Sequence, residues 1–218
     1  MIPHKLKGIY TDKGKLFTKN LVKGQCVYGE ALVKADGVEY KQWDPRRSKL
    51  GAGIKKNMSQ IGIKPGCSVL YLGASSGTTA SHVSDIIGKE GSIYALDFSP
   101  RMTRDLVFLA KTRENMAPIL ADAFKVSSYV DKIPLVDVIF QDIAQRNQVE
   151  IFLRNCVLLK QGGFGLLAIK ARSVDVTKKP KEIFKRVRRQ LEEVMTIVDY
   201  RELDPYEKDH ALFIVKKV

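Results

Sequence analysis

Three acids and a lysine stand where apolar runs of this chain end: Asp97 after S-I-Y-A-L, Asp122 after P-I-L-A, Asp142 after V-I-F-Q and Lys170 after L-L-A-I. A charge at the end of a buried strand is costly unless it is paired or used, so each is a candidate for chemistry. Residues 69–79, V-L-Y-L-G-A-S-S-G-T-T, add a strand that breaks into small residues and then opens a helix. Such a turn presents free backbone N–H groups, and Gly73 and Gly77 let a ligand approach the main chain. Asp97 comes about twenty residues past Gly77, where an acid can accept both hydroxyls of a ribose. Together these predict a nucleotide-type pocket. Asp142 and Lys170, at neighbouring strand ends, are the pair able to work on a hydroxyl, by taking its proton or steadying the alkoxide.

Hydrophobic periodicity predicts the elements that position these groups. Residues 1 to about 45 alternate polar and apolar side chains around turn signals, in G-I-Y-T-D-K-G-K-L-F-T, Q-C-V-Y-G-E-A-L-V and G-V-E-Y-K-Q-W, which reads as a small antiparallel sheet. Asp44-Pro45 ends it, and Leu50, Ile54 and Met58 then have helical spacing. Beyond that point strands at 68–72, 91–97, 117–121, 136–141 and 163–170 alternate with helices at 78–87, 100–114 and 147–159. A basic helix at 179–195 precedes 196–201 and 211–216, which can pair as a hairpin. The alternation predicts an α/β fold with a parallel, doubly wound sheet, to which the hairpin adds one antiparallel strand.

A chain of 218 residues, 44% hydrophobic, can bury a full core. No apolar run reaches the length of a membrane span and no signal-peptide pattern opens the sequence, so a cytoplasmic location is expected. Cys26, Cys67 and Cys156 are widely spaced in apolar surroundings and read as reduced, buried thiols. His4, His82 and His210 share no metal-ligand spacing with them, so no metal is expected. His82, inside the helix after the Gly-rich turn, reads as a packing residue. The net charge is +13, and it is unevenly placed: residues 1–66 hold 14 basic and 5 acidic groups and residues 172–190 hold 8 and 2, against 11 and 10 in residues 67–171. Basic flanks around a neutral pocket predict a polyanionic partner, RNA or DNA.

An NAD-type oxidoreductase would account for the turn and Asp97, but Gly73 and Gly77 are spaced G-x-x-x-G and the fingerprint G-x-G-x-x-G is missing. S-adenosylmethionine suits the strand ends better. In that reading the Gly-rich turn faces the methionine part, Asp97 the ribose, and Asp122 with Ala123 the adenine edge. The acceptor is narrowed by what is absent. Asp142 is followed by Ile143-Ala144-Gln145 and not by the Pro-Pro of amino-methylating enzymes, and no cysteine stands there as the nucleophile of base C5 methylation. A hydroxyl such as a ribose 2′-OH remains. Two other readings stay open at this point: a nucleotide-dependent oxidoreductase, and an RNA-binding subunit that keeps the pocket without turnover.

The segments V-Y-G-E at Val27, W-D-P-R-R-S-K-L at Trp43, V-L-Y-L-G-A-S-S-G-T-T-A-S-H-V-S-D at Val69, D-V-I-F-Q-D-I-A-Q at Asp137 and P-Y-E-K-D-H-A at Pro205 together resemble the fibrillarin family in its archaeal form. The resemblance runs from about His4 to the end, without the Gly/Arg-rich leader of the eukaryotic form. It implies a class I, Rossmann-like methyltransferase domain at 49–218 behind a small N-terminal β domain at 1–48. It also implies guide-directed ribose 2′-O-methylation of rRNA, and of tRNA, with S-adenosylmethionine. The implied partners are a box C/D guide RNA with its substrate RNA, a Nop-domain scaffold protein and a kink-turn-binding protein of the ribosomal type. Carried over by residue, the family's cofactor positions fall on Thr78, Thr79, Asp97, Phe98, Asp122, Ala123, Asp142, Ile143, Ala144 and Gln145. The Lys-Asp-Lys-Glu tetrad of the wider 2′-O-methyltransferase class maps onto Lys49, Asp142, Lys170 and His210, with histidine in fourth place as in the fibrillarin version.

Overall fold

Two sheets organise the chain in the computed structural model, which describes residues 1–218. The first contains β1 (Ile2–Pro3), β2 (Ile9–Asp12), β3 (Lys15–Lys19), β4 (Leu32–Ala35) and β5 (Val38–Trp43), all antiparallel in the order β1-β2-β3-β5-β4. Lys13-Gly14 and Asp36-Gly37 form its two-residue hairpin loops, and all four residues have the positive φ that a type I′ turn demands. Helix α1 (Lys49–Lys55) follows, capped by the Ser48 hydroxyl, which accepts from the Gly51 N–H at 3.1 Å.

The second sheet contains β6 (Ser68–Leu72), β7 (Ser92–Asp97), β8 (Met116–Leu120), β9 (Val136–Gln141), β10 (Leu159–Lys170), β11 (Thr196–Glu202) and β12 (His210–Lys216). Between them lie α2 (Thr78–Ile87), α3 (Pro100–Ala110), α4 (Gln148–Asn155), the short α5 (Ala171–Val174) and α6 (Pro180–Glu192). The strand order is β11-β12-β10-β9-β6-β7-β8, parallel from β10 to β8, with β12 antiparallel to both its neighbours. The central strands are apolar along their length because both faces are covered. Val69, Tyr71, Val138 and Phe140 share one core with Leu50 and Ile54 of α1, Val83 and Ile86 of α2, and Trp43 of the first sheet. Leu70, Leu72, Ile139 and Leu167 share the other with Phe152 of α4 and Ile183 and Val187 of α6. From β6 the chain runs outward to β7 and β8 and returns on the other side as β9. The carboxyl ends of β6 and β9 therefore form the topological switch point where open α/β sheets bind ligands.

A buried charge cluster ties the first sheet to α2. Asp85 accepts from Lys41 Nζ at 2.9 Å, from Arg113 Nη1 at 2.7 Å and from the Thr18 hydroxyl at 2.7 Å, with all three partners buried. His82, one turn earlier, lies parallel to the Trp43 ring at a centroid distance of 4.6 Å and bonds to the hydroxyls of Thr18 and Tyr28. Its role is packing.

Several local expectations are corrected. Residues 25–31 are not a strand, because Gly24 and Gly29 have φ of 77° and 85° and the Glu30 carboxylate takes the N–H groups of Val27 and Tyr28. Helix α1 stops short of Met58, since Asn57 is left-handed at φ 60° and the Met58 N–H turns back to the Gly53 carbonyl. Helices α3 and α6 end at Ala110 and Glu192, earlier than the apolar spacing suggests. Helix α4 ends at Asn155 and β10 opens at Leu159; Gly163 permits this early start, for a Cβ there would lie 2.9 Å from the Asp137 carbonyl oxygen. Cys26 is exposed, while Cys67 and Cys156 are buried.

Candidate active site

The carboxyl ends of β6, β7, β8 and β9 enclose a cavity of about 320 Å³. Gly73 stands at the switch point with φ 80°, and a Cβ there would lie 2.5 Å from the Asp142 carbonyl oxygen, so any larger residue would force β6 and β9 apart. Asp97 is almost fully buried and is already engaged: Oδ2 accepts from the Ser75 N–H at 2.8 Å and Oδ1 from the Ser99 N–H at 2.9 Å. It thus fixes the Gly-rich turn on one side and the cap of α3 on the other. Phe98, beside it, leaves 70% of its surface exposed at the cavity rim. Asp122 accepts from the Phe124 N–H at 3.0 Å, and the Ala123 carbonyl is held by the Tyr129 hydroxyl at 3.0 Å and Asn155 Nδ2 at 2.9 Å. Asp142, Ile143, Ala144 and Gln145 complete the wall.

Nine of the residues singled out from sequence therefore meet around one cavity: Gly73, Asp97, Phe98, Asp122, Ala123, Asp142, Ile143, Ala144 and Gln145. Gly77, Thr78 and Thr79 do not line it. Gly77 serves as the left-handed N-cap of α2 at φ 99°, and Thr79 donates its hydroxyl to the Ser48 hydroxyl at 2.9 Å, bracing the start of α1. Leu96 and Ile151 line the wall without having been singled out, and so does Ser75. Their signal was weak: the two apolar residues look like any other core positions, and only the left-handed φ of 52° at Ser75 marks it as special.

One ion pair stands among the candidate catalytic groups. Lys49 opens α1, and its ammonium sits 2.9 Å and 3.0 Å from the two carboxylate oxygens of Asp142. Asp142 is therefore spoken for by Lys49, not by Lys170 as the strand ends suggested; α1 lays its first residue directly over the end of β9. Lys170 stands opposite His210 in the β10–β12 register, and its ammonium is exposed, with no hydrogen bond or ion pair of its own. His210 Nδ1 donates to the Lys208 carbonyl at 2.7 Å, which leaves Nε2 as the free ring nitrogen. Burial holds the His210 pKa below its ordinary value, and the nearby Lys49 charge lowers it further. His210 thus lies close enough to feel the charges of both Lys49 and Asp142, and Asp142 lines the cavity, while Lys170 joins this end of the sheet through its register with His210.

A family model described as Fibrillarin matches residues 1–218. The chain belongs to the fibrillarin family. A fibrillarin-like rRNA/tRNA 2′-O-methyltransferase of Pyrococcus horikoshii is 53% identical over 220 residues, covering 98% of this chain and 97% of the relative. The structure of Aeropyrum pernix fibrillarin in complex with natively bound S-adenosyl-L-methionine superposes with a TM-score of 0.90 at 43% identity, covering 98% and 96% of the two chains. Fibrillarin from a fibrillarin/Nop5p complex superposes at 0.89 with 39% identity, covering 99% of this chain and all of that one. An N-terminal antiparallel sheet followed by a Rossmann-like sheet is thus the fibrillarin fold. Two of the family's motifs supply facing walls of the cavity, one with the turn at Gly73 and another with Asp142 to Gln145, while Lys49 of a third is paired to Asp142.

Proposed function

We propose that the chain is the catalytic subunit of a guide-directed RNA ribose 2′-O-methyltransferase, using S-adenosylmethionine to methylate rRNA, and tRNA, within a box C/D ribonucleoprotein. The observation that carries this is the cavity at the β6/β9 switch point, walled by Asp142 with Lys49 paired to it, in a chain that matches the family along its whole length. Division of labour follows the two sheets, with residues 1–48 as a β-rich domain and 49–218 as the methyltransferase domain. A Nop-domain scaffold is the protein partner, with the guide RNA and a kink-turn-binding protein completing the assembly. No helix is long and apolar enough to cross a membrane, and we place the assembly in the cytoplasm.

The cavity suits the cofactor. Gly73 leaves no room for a side chain where β6 meets Asp142, Asp97 and Asp122 offer acceptors to ribose hydroxyls and an adenine amino edge, and Phe98 and Ile143 supply flat or apolar contact. S-adenosylmethionine, when bound, supplies an electrophilic methyl group on its sulfonium. The chain's own residues prepare the acceptor. Lys170 as a neutral amine takes the proton of the ribose 2′-OH and becomes the ammonium, or, as the ammonium throughout, holds the oxygen as negative charge develops. Asp142 orients Lys49, whose charge adds to the positive field at that oxygen, and neutral His210 offers Nε2 as an acceptor opposite Lys170. The basic N-terminal region and α6 attract phosphate without reading bases, so choice of nucleotide rests with the guide.

Transfer of labelled methyl to RNA, measured with a matched guide complex, with a mismatched one and with the isolated chain, tests the reading. Label should enter one ribose, resistant to alkaline cleavage, only with the matched guide. Incorporation by the isolated chain at the same site and rate, or none in any arm, would sink it. An oxidoreductase is disfavoured by the G-x-x-x-G turn and would instead bind NAD(P)H.

A further inference from the structure

At its carboxyl end β10 outruns its parallel neighbour. Pairing with β9 ends at Leu167 against Gln141, whereas Lys170 is still in register with His210 of β12. The β9 side of the Lys170 backbone is thus left without a strand, and buried peptide groups need partners. Gln148, the first residue of α4 and fully buried, fills the gap with its side-chain amide. Its Oε1 accepts from the Lys170 N–H at 3.1 Å, and its Nε2 donates to the Lys170 carbonyl at 3.3 Å. The same Nε2 donates to the Gln145 carbonyl at 2.8 Å, and Gln145 lines the cavity. Gln148 is itself anchored through its backbone carbonyl, which accepts from Gln141 Nε2 at 2.6 Å.

A primary amide is the one neutral side-chain group with the donor and acceptor of a peptide, so Gln148 replaces the missing stretch of β9. The replacement joins three places: the end of β9, the loop that walls the cavity, and the residue that carries the free ammonium. Because that ammonium makes no bond of its own, the backbone under it decides where the side chain starts. A misplacement of about 1 Å can cost on the order of 100-fold in rate when two groups must meet.

We infer that Gln148 is a positioning residue for the methyl transfer, acting through Lys170 by clamping its peptide to the Gln145 loop. This rests on the reading of Lys170 as the group that meets the ribose hydroxyl. Gln148→Met keeps the length and removes all three side-chain bonds, whereas Gln148→Glu keeps an acceptor for the Lys170 N–H but turns an oxygen toward two carbonyls. In the assembled guide complex, under single-turnover conditions with saturating cofactor, Gln148→Met should lose roughly 10- to 100-fold in rate, while cofactor affinity by calorimetry moves far less. Combined with Lys170→Ala, it should cost little beyond Lys170→Ala alone, since the two act in series. Hydrogen exchange at the Lys170 N–H should quicken in the Met variant. Gln148→Glu carries the same comparisons should the Met variant not fold. A near-normal rate in either folded variant, losses that multiply in the double variant, or unchanged exchange at Lys170 would overturn the inference. A Lys170→Ala complex that methylates normally would instead remove Lys170 from the chemistry; faster exchange in the Met variant would then show a clamp that is structural only.

Discussion

Lys49 and Asp142 meet as a two-oxygen ion pair, with Nζ 2.9 Å and 3.0 Å from the carboxylate, although 93 positions separate them in the chain. Each side chain keeps about a fifth of its surface exposed, so water screens the attraction and the pair adds little stability. Lys49→Met should therefore lower unfolding stability by less than about 1 kcal/mol, yet slow methyl transfer by roughly 100-fold through loss of the oriented charge. Urea unfolding and single-turnover assays separate the two effects. A large stability loss with a normal rate would make the pair structural.

Asp97 has two duties, and its substitution tests both. Asp97→Asn keeps the shape but weakens the two bonds from Ser75 and Ser99 and any bond from a ribose hydroxyl. Cofactor affinity should fall by about 1.5 to 3 kcal/mol, the range for hydrogen bonds to a charged group, with the protein still folded. Calorimetry reads the loss. Unchanged affinity would take Asp97 out of the cofactor site and leave it as the strut of the turn.

Lys170→Arg keeps a positive charge at the end of β10 but changes the head group, and a guanidinium stays protonated near neutral pH. If Lys170 is the base, transfer should slow by on the order of 100-fold or more, with cofactor binding intact. Lys185→Arg on the solvent side of α6 should do almost nothing. Near-normal transfer by the Lys170→Arg enzyme in the guide complex would leave Lys170 only an electrostatic role.

Asp85 is the only carboxylate in ion-pair contact with two buried cations, Lys41 and Arg113. Asp85→Asn leaves both without a counter-charge, and such losses cost about 3 to 5 kcal/mol. Chemical denaturation should show it. A variant as stable as the parent would mean that water or a rearranged side chain compensates the cations.

The same cluster sets the pH dependence of folding. Burial, and then the Lys41 and Arg113 charges, hold His82 well below its ordinary value of 6.5. Below that pH the unfolded chain binds a proton at this position that the folded chain refuses, so stability falls as the medium is acidified. Lys41 acts with the same sign at the alkaline end. Burial pushes it down to about 8 from 10.5, so between those values the unfolded chain again holds the extra proton and stability rises with pH. Tyr28 and Tyr200, both raised by burial, reverse that gain above pH 10. Urea midpoints between pH 7.5 and 5 should fall less steeply for His82→Gln than for the parent, with a residual slope from His4 and His210, whose values are also lowered. Equal acid slopes would contradict the assignment.

The chemistry-bearing strand ends could be found from sequence because a parallel strand covered on both faces is a continuous apolar run, and Asp97, Asp142 and Lys170 each interrupt one, whereas Asp122 follows the half-buried edge strand β8. The turn at Gly73 was legible for a related reason: small residues after such a run leave backbone free. Element ends were less so. Helix α4 and β10 exchange at Asn155–Leu159, where the same apolar residues satisfy either period and tertiary contacts decide. Pairings were not legible at all. That Asp142 binds Lys49 and not Lys170, that Thr79 braces Ser48 instead of facing the cavity, and that Gln148 stands in for a missing strand all depend on strand order and on how far β10 extends past β9. Periodicity along a chain records which face of an element is buried. Which distant side chain arrives against that face is settled only when the sheet closes and every buried polar group must find its partner.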